Sequence, residues 1–375
     1  MRNPSRRTVL KTAGAALVVP ATLGATTRAA AQTTRRRARD EGPSTPKIAL
    51  EAGAALTTTP SADSAAAARR IRQLGVEHVL AGGGPIPWQE NRLQALGDNL
   101  KANGITLGNL MIAGFPNAIY NRPGRDADIE KVIESIRAAG RVGLPVVEYN
   151  WYAHRAMEGY FLELGRADAG LTGFDYERMR DLPPLPNEGA HTAETMWANI
   201  TYFLKAVVPE AEKAGVRLAL HPNDPPAPLS RGSEQIMGSI DGWKTLIGIV
   251  NSPSNGITFD CGVTREMGGD PVEVCRYFGS RDRINHVHFR NVIVQKPNER
   301  YTEVFIDEGE NDMFAVMKEL VRQKYARQIY PEHPRALDYD QWAGIRSQYP
   351  GGGGYAGFAY NVGYTRAMLQ AALAT

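Results

Sequence analysis

Four side chains able to bind a divalent cation follow four successive apolar segments in the second half of the sequence. They are His221, Asp260, His288 and Glu332. Two imidazoles and two carboxylates suit manganese, zinc or cobalt better than magnesium or calcium, which prefer oxygen ligands alone. A single residue of this kind is more often a hydrogen-bonded structural group, but four together require a common explanation. The sequence therefore predicts a metal site, with Mn²⁺ as the first choice and Fe²⁺, Co²⁺ or Zn²⁺ as alternatives.

The elements that would bring these side chains together are eight short apolar strands that alternate with longer helical patterns. We predict strands over 48–52, 78–81, 106–111, 145–149, 216–221, 256–260, 284–289 and 328–331. We predict helices over 61–74, 89–102, 126–139, 192–214, 239–250, 271–278, 313–325 and 362–373. This alternation predicts an α/β fold with a parallel sheet, and eight units favour closure into a (β/α)8 TIM barrel, whose active site lies at the carboxyl ends of the strands.

Two connections in this pattern exceed the usual length. Residues 152–191 follow the fourth predicted strand, and residues 291–312 follow the seventh. Both leave the barrel on the side where active sites are built. We interpret them as insertions into a single catalytic barrel over 47–375, serving as substrate lids or oligomer arms.

Two residues near the predicted metal site are candidates for proton transfer. His333 directly follows Glu332, so strand alternation aims it differently; it is either a general acid or base at the rim or a surface histidine. Tyr355 follows the glycine run 351–354, which predicts a loop flexible enough to close over a substrate. The alternative for Tyr355 is a packed loop tyrosine.

Several polar residues at the predicted strand ends are candidates for substrate binding. Arg290 could bind both oxygens of a substrate carboxylate, or it could form a salt bridge with a barrel carboxylate. Glu148 and Asn150 alternate toward one face at the end of the fourth strand, and Glu51 ends the first. These three could order substrate hydroxyls or be buried hydrogen-bonding residues. Asp224, in the run that follows His221, is a further substrate-binding candidate.

The first residues have the pattern of an export signal. Ser5-Arg6-Arg7-Thr8 is a twin-arginine pattern, residues 13–23 are mostly apolar, and Ala29-Ala30-Ala31 is a cleavage site of the A-x-A type. The alternative, a short membrane anchor, is disfavoured because the apolar run is short and rich in Ala and Gly. We therefore predict a signal peptide over 1–31, a periplasmic or otherwise exported mature chain without stable membrane insertion, and a flexible lead-in over 32–46.

Composition excludes several other classes of protein. Removal of the five basic residues of the predicted signal lowers the formal charge from +3 to −2. The remaining Arg35, Arg36, Arg37 and Arg39 run is typical of a solvated tail, so no nucleic-acid partner is expected. Two cysteines in 375 residues are too few for a disulfide scaffold. The expected partner is a small sugar or sugar acid.

The stretch from Asn199 to Pro226, which ends His221-Pro222-Asn223-Asp224-Pro225-Pro226, resembles the mannonate dehydratases. The likeness continues through three further short runs: His288-Phe289-Arg290, Pro331-Glu332-His333 and Gly354-Tyr355. It also includes residues 255–258, Glu303 and residues 309–313, and it covers roughly 195–370.

This resemblance implies a xylose-isomerase-like barrel that dehydrates D-mannonate to 2-keto-3-deoxy-D-gluconate with manganese, as a dimer or a larger homo-oligomer. The family's ligand positions fall on His221, Asp260, His288 and Glu332, and its catalytic His and Tyr on His333 and Tyr355. The chain departs from the family at two of these positions and at one residue near His221. Asp260 replaces a ligand cysteine, Glu332 replaces an aspartate and Asn223 replaces an aspartate.

The resulting His/Asp/His/Glu set is similar to the ligand shells of sugar epimerases and isomerases in the wider superfamily. The sequence therefore leaves three alternative functions open. The first is a metal-dependent sugar-acid dehydratase, a hydro-lyase of hexuronate catabolism. The second is an epimerase, isomerase or lyase acting on a ketose or an oxidised glycoside. The third is an exported sugar-binding barrel without catalysis.

Overall fold

Eight parallel strands close into a barrel at the centre of the structure, a computed structural model that describes residues 41–57, 61–344 and 347–375. Numbered along the chain, the strands are β1 (Lys47–Glu51), β2 (His78–Gly82), β3 (Thr106–Ile112), β4 (Val146–Tyr149), β5 (Tyr160–Leu164), β6 (Gly170–Asp175), β7 (Arg217–Leu220), β8 (Leu229–Ser230), β9 (Ser233–Glu234), β10 (Asn255–Asp260), β11 (Ile284–His288), β12 (Val292–Lys296), β13 (Arg300–Glu303) and β14 (Gln328–Tyr330). The predicted export signal and residues 32–40 lie outside the described residues.

The barrel has the strand order β1-β14-β11-β10-β7-β4-β3-β2, and every neighbouring pair is parallel. Each of the eight predicted strands agrees with a barrel strand to within one residue at either end. The (β/α)8 prediction is confirmed. Strands such as β10 are buried along their whole length, as expected for a parallel sheet covered on both faces.

Helices surround the barrel and follow its strands along the chain. They are α1 (Ala54–Thr57), α2 (Ala62–Gln73), α3 (Glu90–Ala102), α4 (Pro116–Tyr120), α5 (Arg125–Arg141), α6 (Ala193–Ala214), α7 (Ile240–Ile249), α8 (Cys261–Glu266), α9 (Pro271–Gly279), α10 (Met313–Arg322), α11 (Asp338–Trp342) and α12 (Tyr355–Ala374). Ser61, Thr192 and Ser239 start three of them, each accepting a backbone N–H three residues on. Among the described residues, no helix is both long and apolar enough to cross a bilayer.

The two insertions combine into one structure. β5 and β6 from residues 152–191 pair with β12 and β13 from residues 291–312 in an antiparallel sheet of order β12-β13-β6-β5. The buried rings of Phe174 and Tyr301 stack across it at 5.1 Å between centroids. Because both insertions leave carboxyl ends of barrel strands, this sheet lies on the side of the barrel where the predicted site residues are.

The glycine run before α12 differs from the prediction of a flexible loop. A Cβ at Gly351 would lie 2.1 Å from the carbonyl oxygen of Leu171, and one at Gly353 would lie 2.2 Å from that of Arg335. The Gly353 N–H also donates to the Pro334 carbonyl oxygen at 2.7 Å. These glycines therefore permit close backbone packing. The glycine run differs from the predicted flexible loop because it packs closely against the backbone of Leu171 on one side and of Arg335 on the other.

Candidate metal and substrate site

The four predicted metal ligands converge at the carboxyl ends of four adjacent barrel strands. His221 directly follows β7, Asp260 ends β10, His288 ends β11 and Glu332 follows β14. The Nδ1 atom of His288 is at the centre, 3.3 Å from His221 Nε2, 3.1 Å from Glu332 Oε2 and 3.7 Å from Asp260 Oδ2. All four side chains are buried. The barrel thus brings together residues that are more than 100 positions apart in sequence.

A backbone contact fixes the orientation of the His221 imidazole. Its Nδ1 is 2.8 Å from the carbonyl oxygen of Pro222, which can only accept a hydrogen bond. Nδ1 therefore carries the proton, and Nε2 presents its lone pair to His288 and the carboxylates. Burial and the neighbouring His288 lower the pKa of His221, which favours this neutral form. A neutral imidazole with its second nitrogen held in this way is the usual state of a metal ligand.

Asp260 uses its two carboxylate oxygens for different purposes. Oδ1 caps helix α8 by accepting the Val263 N–H at 2.8 Å, while Oδ2 faces His288 and Arg290. Burial alone would raise the pKa of Asp260, but Arg290 and His288 outweigh it and hold that pKa below its usual range. The helix cap fixes the carboxylate geometry and keeps the site-facing oxygen ionised.

Glu148 is fully buried, and hydrogen bonds within the protein hold its carboxylate. Its carboxylate accepts hydrogen bonds from Asn109 Nδ2 at 2.8 Å and Thr258 Oγ1 at 2.7 Å. Oε1 is also 3.6 Å from His288 Nε2, so it can orient the His288 imidazole from behind.

The described residues contain two overlapping groups that could hold a metal ion. One comprises Asp260, His288 and Glu332, and the other Glu148, His221 and His288. Within each group the nearest donor atoms lie within 4.8 Å of one another. Two imidazole nitrogens that face each other among carboxylates form a mixed nitrogen and oxygen donor set, which fits a first-row divalent cation.

A pocket of about 560 Å³ opens beside these donors, a volume suited to a small ligand. His221, His288, Glu332 and Glu148 lie in its wall. The rest of the wall includes Glu51, Met111, Asn150, Arg155, Tyr330, His333, Arg335, Tyr349 and Phe358. The structure therefore places Asn150 at the pocket, and its contact with substrate stays a prediction.

His333 also faces the pocket, where it is paired with a carboxylate. Its Nδ1 is 2.8 Å from Glu303 Oε2, and its ring is 4.6 Å from that of Tyr349, centroid to centroid. Burial would lower the pKa of His333, but the charges of Glu303 and Glu332 raise it. Its φ of 46° is in the left-handed region, which is rare for a residue with a side chain and frequent at functional sites. The rim position favours the acid or base interpretation over the surface histidine.

Arg290 does not reach the pocket, contrary to the prediction that it binds substrate. Its side chain is 2% exposed. Nε lies 3.1 Å from both Asp260 Oδ2 and Glu332 Oε1, and Nη1 is 2.7 Å from Glu266 Oε1. Gly262 leaves room for the guanidinium, since a Cβ there would lie 2.6 Å from Nη1. The salt-bridge alternative is the correct one because the ligand carboxylates themselves occupy this arginine.

Asp224 is likewise buried away from the pocket. Its Oδ1 accepts a hydrogen bond from the Tyr160 hydroxyl at 2.8 Å, and its side chain is 1% exposed. The prediction that this carboxylate contacts substrate directly is therefore wrong. Its position instead ties the insertion that carries Tyr160 to the loop after β7.

Tyr355 does not belong to the described pocket wall, although the sequence predicts that it closes over the substrate. It is the first residue of α12, and its hydroxyl donates to the Arg70 carbonyl oxygen at 3.0 Å. Within the described residues, the tyrosines that line the pocket are Tyr330 and Tyr349. The loop prediction for Tyr355 is wrong because the helix begins seven residues earlier than its sequence pattern indicates.

This placement predicts different effects for two tyrosine substitutions. Tyr355→Phe is expected to change kcat/KM on the substrate by less than about twofold, since it removes a hydrogen bond outside the pocket. Tyr349→Phe is expected to lower kcat/KM by roughly tenfold, the usual effect of losing one hydrogen bond to a ligand. Steady-state kinetics of both variants provide the measurement. A larger loss for Tyr355→Phe than for Tyr349→Phe would contradict the placement.

Sequence reasoning missed three residues of this site. Arg155 and Tyr349 line the pocket but belong to irregular segments whose course the strand pattern does not predict. Glu303, noted only within the family likeness, holds His333 from β13. A signal existed for Glu303 alone, since it is an acidic residue that ends a short strand whose last three residues are buried.

A family model, a sequence relative and a solved structure that are similar to this chain all carry the name mannonate dehydratase. Residues 152–374 match the model of the family described as D-mannonate dehydratase (UxuA). A mannonate dehydratase of Streptococcus suis is 32% identical over 279 residues, covering 67% of this chain and 75% of that protein. The crystal structure of mannonate dehydratase from Streptococcus suis serotype 2 superposes with a TM-score of 0.76 at 25% identity, covering 88% of this chain and 95% of that chain.

A solved structure with lower sequence identity shares the same barrel fold. A xylose isomerase-like TIM barrel protein from Mycobacterium smegmatis, solved in complex with magnesium, superposes with a TM-score of 0.56 at 15% identity, covering 88% of this chain and 97% of that chain. The closed barrel and its donor cluster thus define a xylose-isomerase-like (β/α)8 protein. Within that class, the chain belongs to the D-mannonate dehydratase family.

Proposed function

We propose that the protein is a metal-dependent hydro-lyase that converts D-mannonate into 2-keto-3-deoxy-D-gluconate and water. One observation carries the proposal: in a chain of this family, His221, His288 and Glu332 converge beside His333 at a single pocket, and the buried Asp260 lies 3.7 Å from His288. Its volume of about 560 Å³ admits a six-carbon acid.

The donor set supports a resident divalent cation, with Mn²⁺ as the proposed ion. His221, Asp260, His288 and Glu332 would hold it. A bound ion would act as a Lewis acid that stabilises negative charge on substrate oxygens. Arg290 would support the two carboxylate ligands, because its Nε donates to both Asp260 and Glu332.

The reaction requires two bond cleavages that this chain's residues must assist. The C2–H bond breaks as a base takes the proton beside the carboxylate, and the C3–O bond breaks as an acid protonates the departing hydroxyl. The resulting enol then tautomerises to the 2-keto acid. His333 is the proposed proton-transfer group, because Glu303 occupies Nδ1 and leaves Nε2 toward the pocket.

Turnover of D-mannonate by metal-loaded protein tests this function. Protein stripped with a chelator and reloaded separately with Mn²⁺, Fe²⁺, Co²⁺ or Zn²⁺ is incubated with D-mannonate, and 2-keto acid is quantified. We expect product only after reloading, and most with Mn²⁺. Metal-bound protein that leaves D-mannonate unchanged but converts a ketose or an oxidised glycoside would replace this proposal with the epimerase or lyase function. Sugar binding without turnover of any substrate would favour the non-catalytic barrel.

We also propose that the chain is exported through the twin-arginine route. The support is the Ser5-Arg6-Arg7 pattern, the apolar run and the Ala29-Ala30-Ala31 cleavage site. We expect the tagged wild-type chain in the exported fraction, shortened after Ala31. The double variant Arg6→Lys/Arg7→Lys should remain inside the cell at full length. Equal fractionation of the two chains, without cleavage, would contradict export.

A further inference from the structure

The pocket wall contains an arginine whose donors are not all used within the protein. Arg155 is at the start of the first insertion, and its side chain is 28% exposed. Its guanidinium carbon lies 5.3 Å from the ring centroid of Tyr349, which packs against His333. Arg155 therefore lies in the same pocket as the proposed proton-transfer group and the metal-type donors.

One edge of the Arg155 guanidinium is held while the other is available. Nε donates to the Asp224 carbonyl oxygen at 2.9 Å, and Nη2 is a marginal 3.5 Å from Asp224 Oδ2. Within the described part of the chain, Nη1 donates no hydrogen bond. The Asp224 carboxylate already accepts from Tyr160. This arrangement positions the side chain by its Nε and leaves the terminal fork for a ligand.

The other arginines of the site are not placed to bind a ligand in the pocket. Arg335 also lines the pocket, but its Nε donates to the His333 carbonyl oxygen at 3.0 Å, Nη1 to Thr172 Oγ1 at 2.7 Å and Nη2 to Glu303 Oε2 at 3.0 Å. Arg290 is buried and does not belong to the described pocket wall, and its Nη2 lies 3.5 Å from Asp224 Oδ1. Among the described residues of the pocket wall, Arg155 is thus the arginine with donors to spare.

The acidic residues of the remaining wall disfavour an anionic ligand, so a cation with free donors beside them would offset that repulsion. Glu51, Glu148 and Glu332 all line the pocket, and each would repel a carboxylate. We infer that Arg155 binds the carboxylate of an aldonate through its terminal nitrogens, and that it selects sugar acids over neutral sugars. This inference rests on the proposed function, which requires an aldonate in this pocket.

The same contact bears on the reaction rate. Removal of the C2 proton moves negative charge onto the neighbouring carboxylate, so a guanidinium bonded there interacts more strongly in the transition state than in the ground state. Loss of Arg155 should therefore lower kcat as well as weaken substrate binding. A residue that merely shapes the pocket would raise KM alone.

The test compares an acid with its neutral analogue. Calorimetry on Mn²⁺-loaded protein that also carries His333→Asn, so that bound D-mannonate is not converted, measures the affinity for D-mannonate and for D-mannitol, a polyol of the same length without the carboxylate. Arg155→Met is expected to weaken D-mannonate binding by roughly 10- to 100-fold, the range for charge-assisted hydrogen bonds, and to leave D-mannitol binding unchanged. Arg166→Met is the matched control, because Arg166 belongs to the same insertion but pairs with Asp307 outside the pocket.

Two results would overturn the inference. One is unchanged D-mannonate affinity in Arg155→Met, and the other is an equal loss for both ligands, which would mean that Arg155 contacts hydroxyls. If Arg155→Met melts at a lower temperature than wild type, Arg155→Gln gives the same comparison, since its amide can keep the bond to the Asp224 carbonyl. Binding of D-mannonate that depends on Arg155, together with no turnover by metal-loaded protein that retains His333, would refute the dehydratase function and leave this inference standing.

Discussion

His221→Ala is expected to remove both the bound metal and the dehydratase activity. The imidazole is held by Pro222 with Nε2 toward the other donors, so the substitution deletes a preoriented ligand. A metal acting as a Lewis acid contributes several kcal/mol to transition-state stabilisation, which corresponds to a loss of about 1,000-fold in kcat or more. Metal content by elemental analysis and kcat on D-mannonate are the two measurements.

The matched control for this substitution is His191→Ala. His191 stacks on Tyr120 and bonds the Glu188 carbonyl oxygen, outside the described pocket wall. We expect it to keep wild-type metal content and kcat. Full metal content together with wild-type turnover in His221→Ala would contradict the proposed ligand set.

His333→Asn is expected to retain the metal and lose turnover. The asparagine amide can still donate to Glu303, as His333 Nδ1 does, but it cannot transfer a proton. General acid or base catalysis contributes about 100- to 10,000-fold to the rate, so kcat should fall within that range while D-mannonate affinity changes little.

Metal content and kcat of His333→Asn, measured together, distinguish a role of His333 in proton transfer from a role as a metal ligand. His154→Asn is the control, because His154 pairs with Glu158 and Glu188 and is absent from the described pocket wall. It should behave as wild type. Metal loss in His333→Asn would indicate that His333 is a ligand, and unchanged kcat would exclude it from proton transfer.

The barrel and its ligand cluster could be predicted because both depend on local patterns. Each barrel strand is a short apolar run bounded by turns, and a closed parallel sheet brings all carboxyl ends to one side. Once eight strands are recognised, His221, Asp260, His288 and Glu332 must lie near one another. Their register follows from adjacent strands, which is why four residues distant in sequence were correctly placed together.

The side-chain partners at the site could not be predicted from the same patterns. Arg290 has the right type and position for a substrate carboxylate, but Asp260, Glu266 and Glu332 surround it from three other segments. Which carboxylate satisfies which guanidinium is decided by tertiary contacts. Arg155 is the opposite case: it lines the pocket, although nothing in its local sequence predicts that position.

Tyr355 illustrates a different limit. Four consecutive glycines usually indicate a flexible loop, yet here they allow close contact with the backbone of Leu171 and Arg335. The helix that follows begins at Tyr355 itself, with Gly357 and Gly363 within it. Glycine content describes the freedom of the unfolded chain, whereas packing decides whether that freedom remains in the fold.

Proton nuclear magnetic resonance of D-mannonate with Mn²⁺-loaded protein in D2O tests the central claim most directly. We predict loss of the C2 proton signal together with a 2-keto-3-deoxy product that carries one solvent deuterium at C3, because dehydration yields an enol that is protonated there. Deuterium at C2 of an otherwise intact six-carbon acid, without loss of water, would contradict the proposed dehydration. That result would identify proton transfer without dehydration, the chemistry of an epimerase.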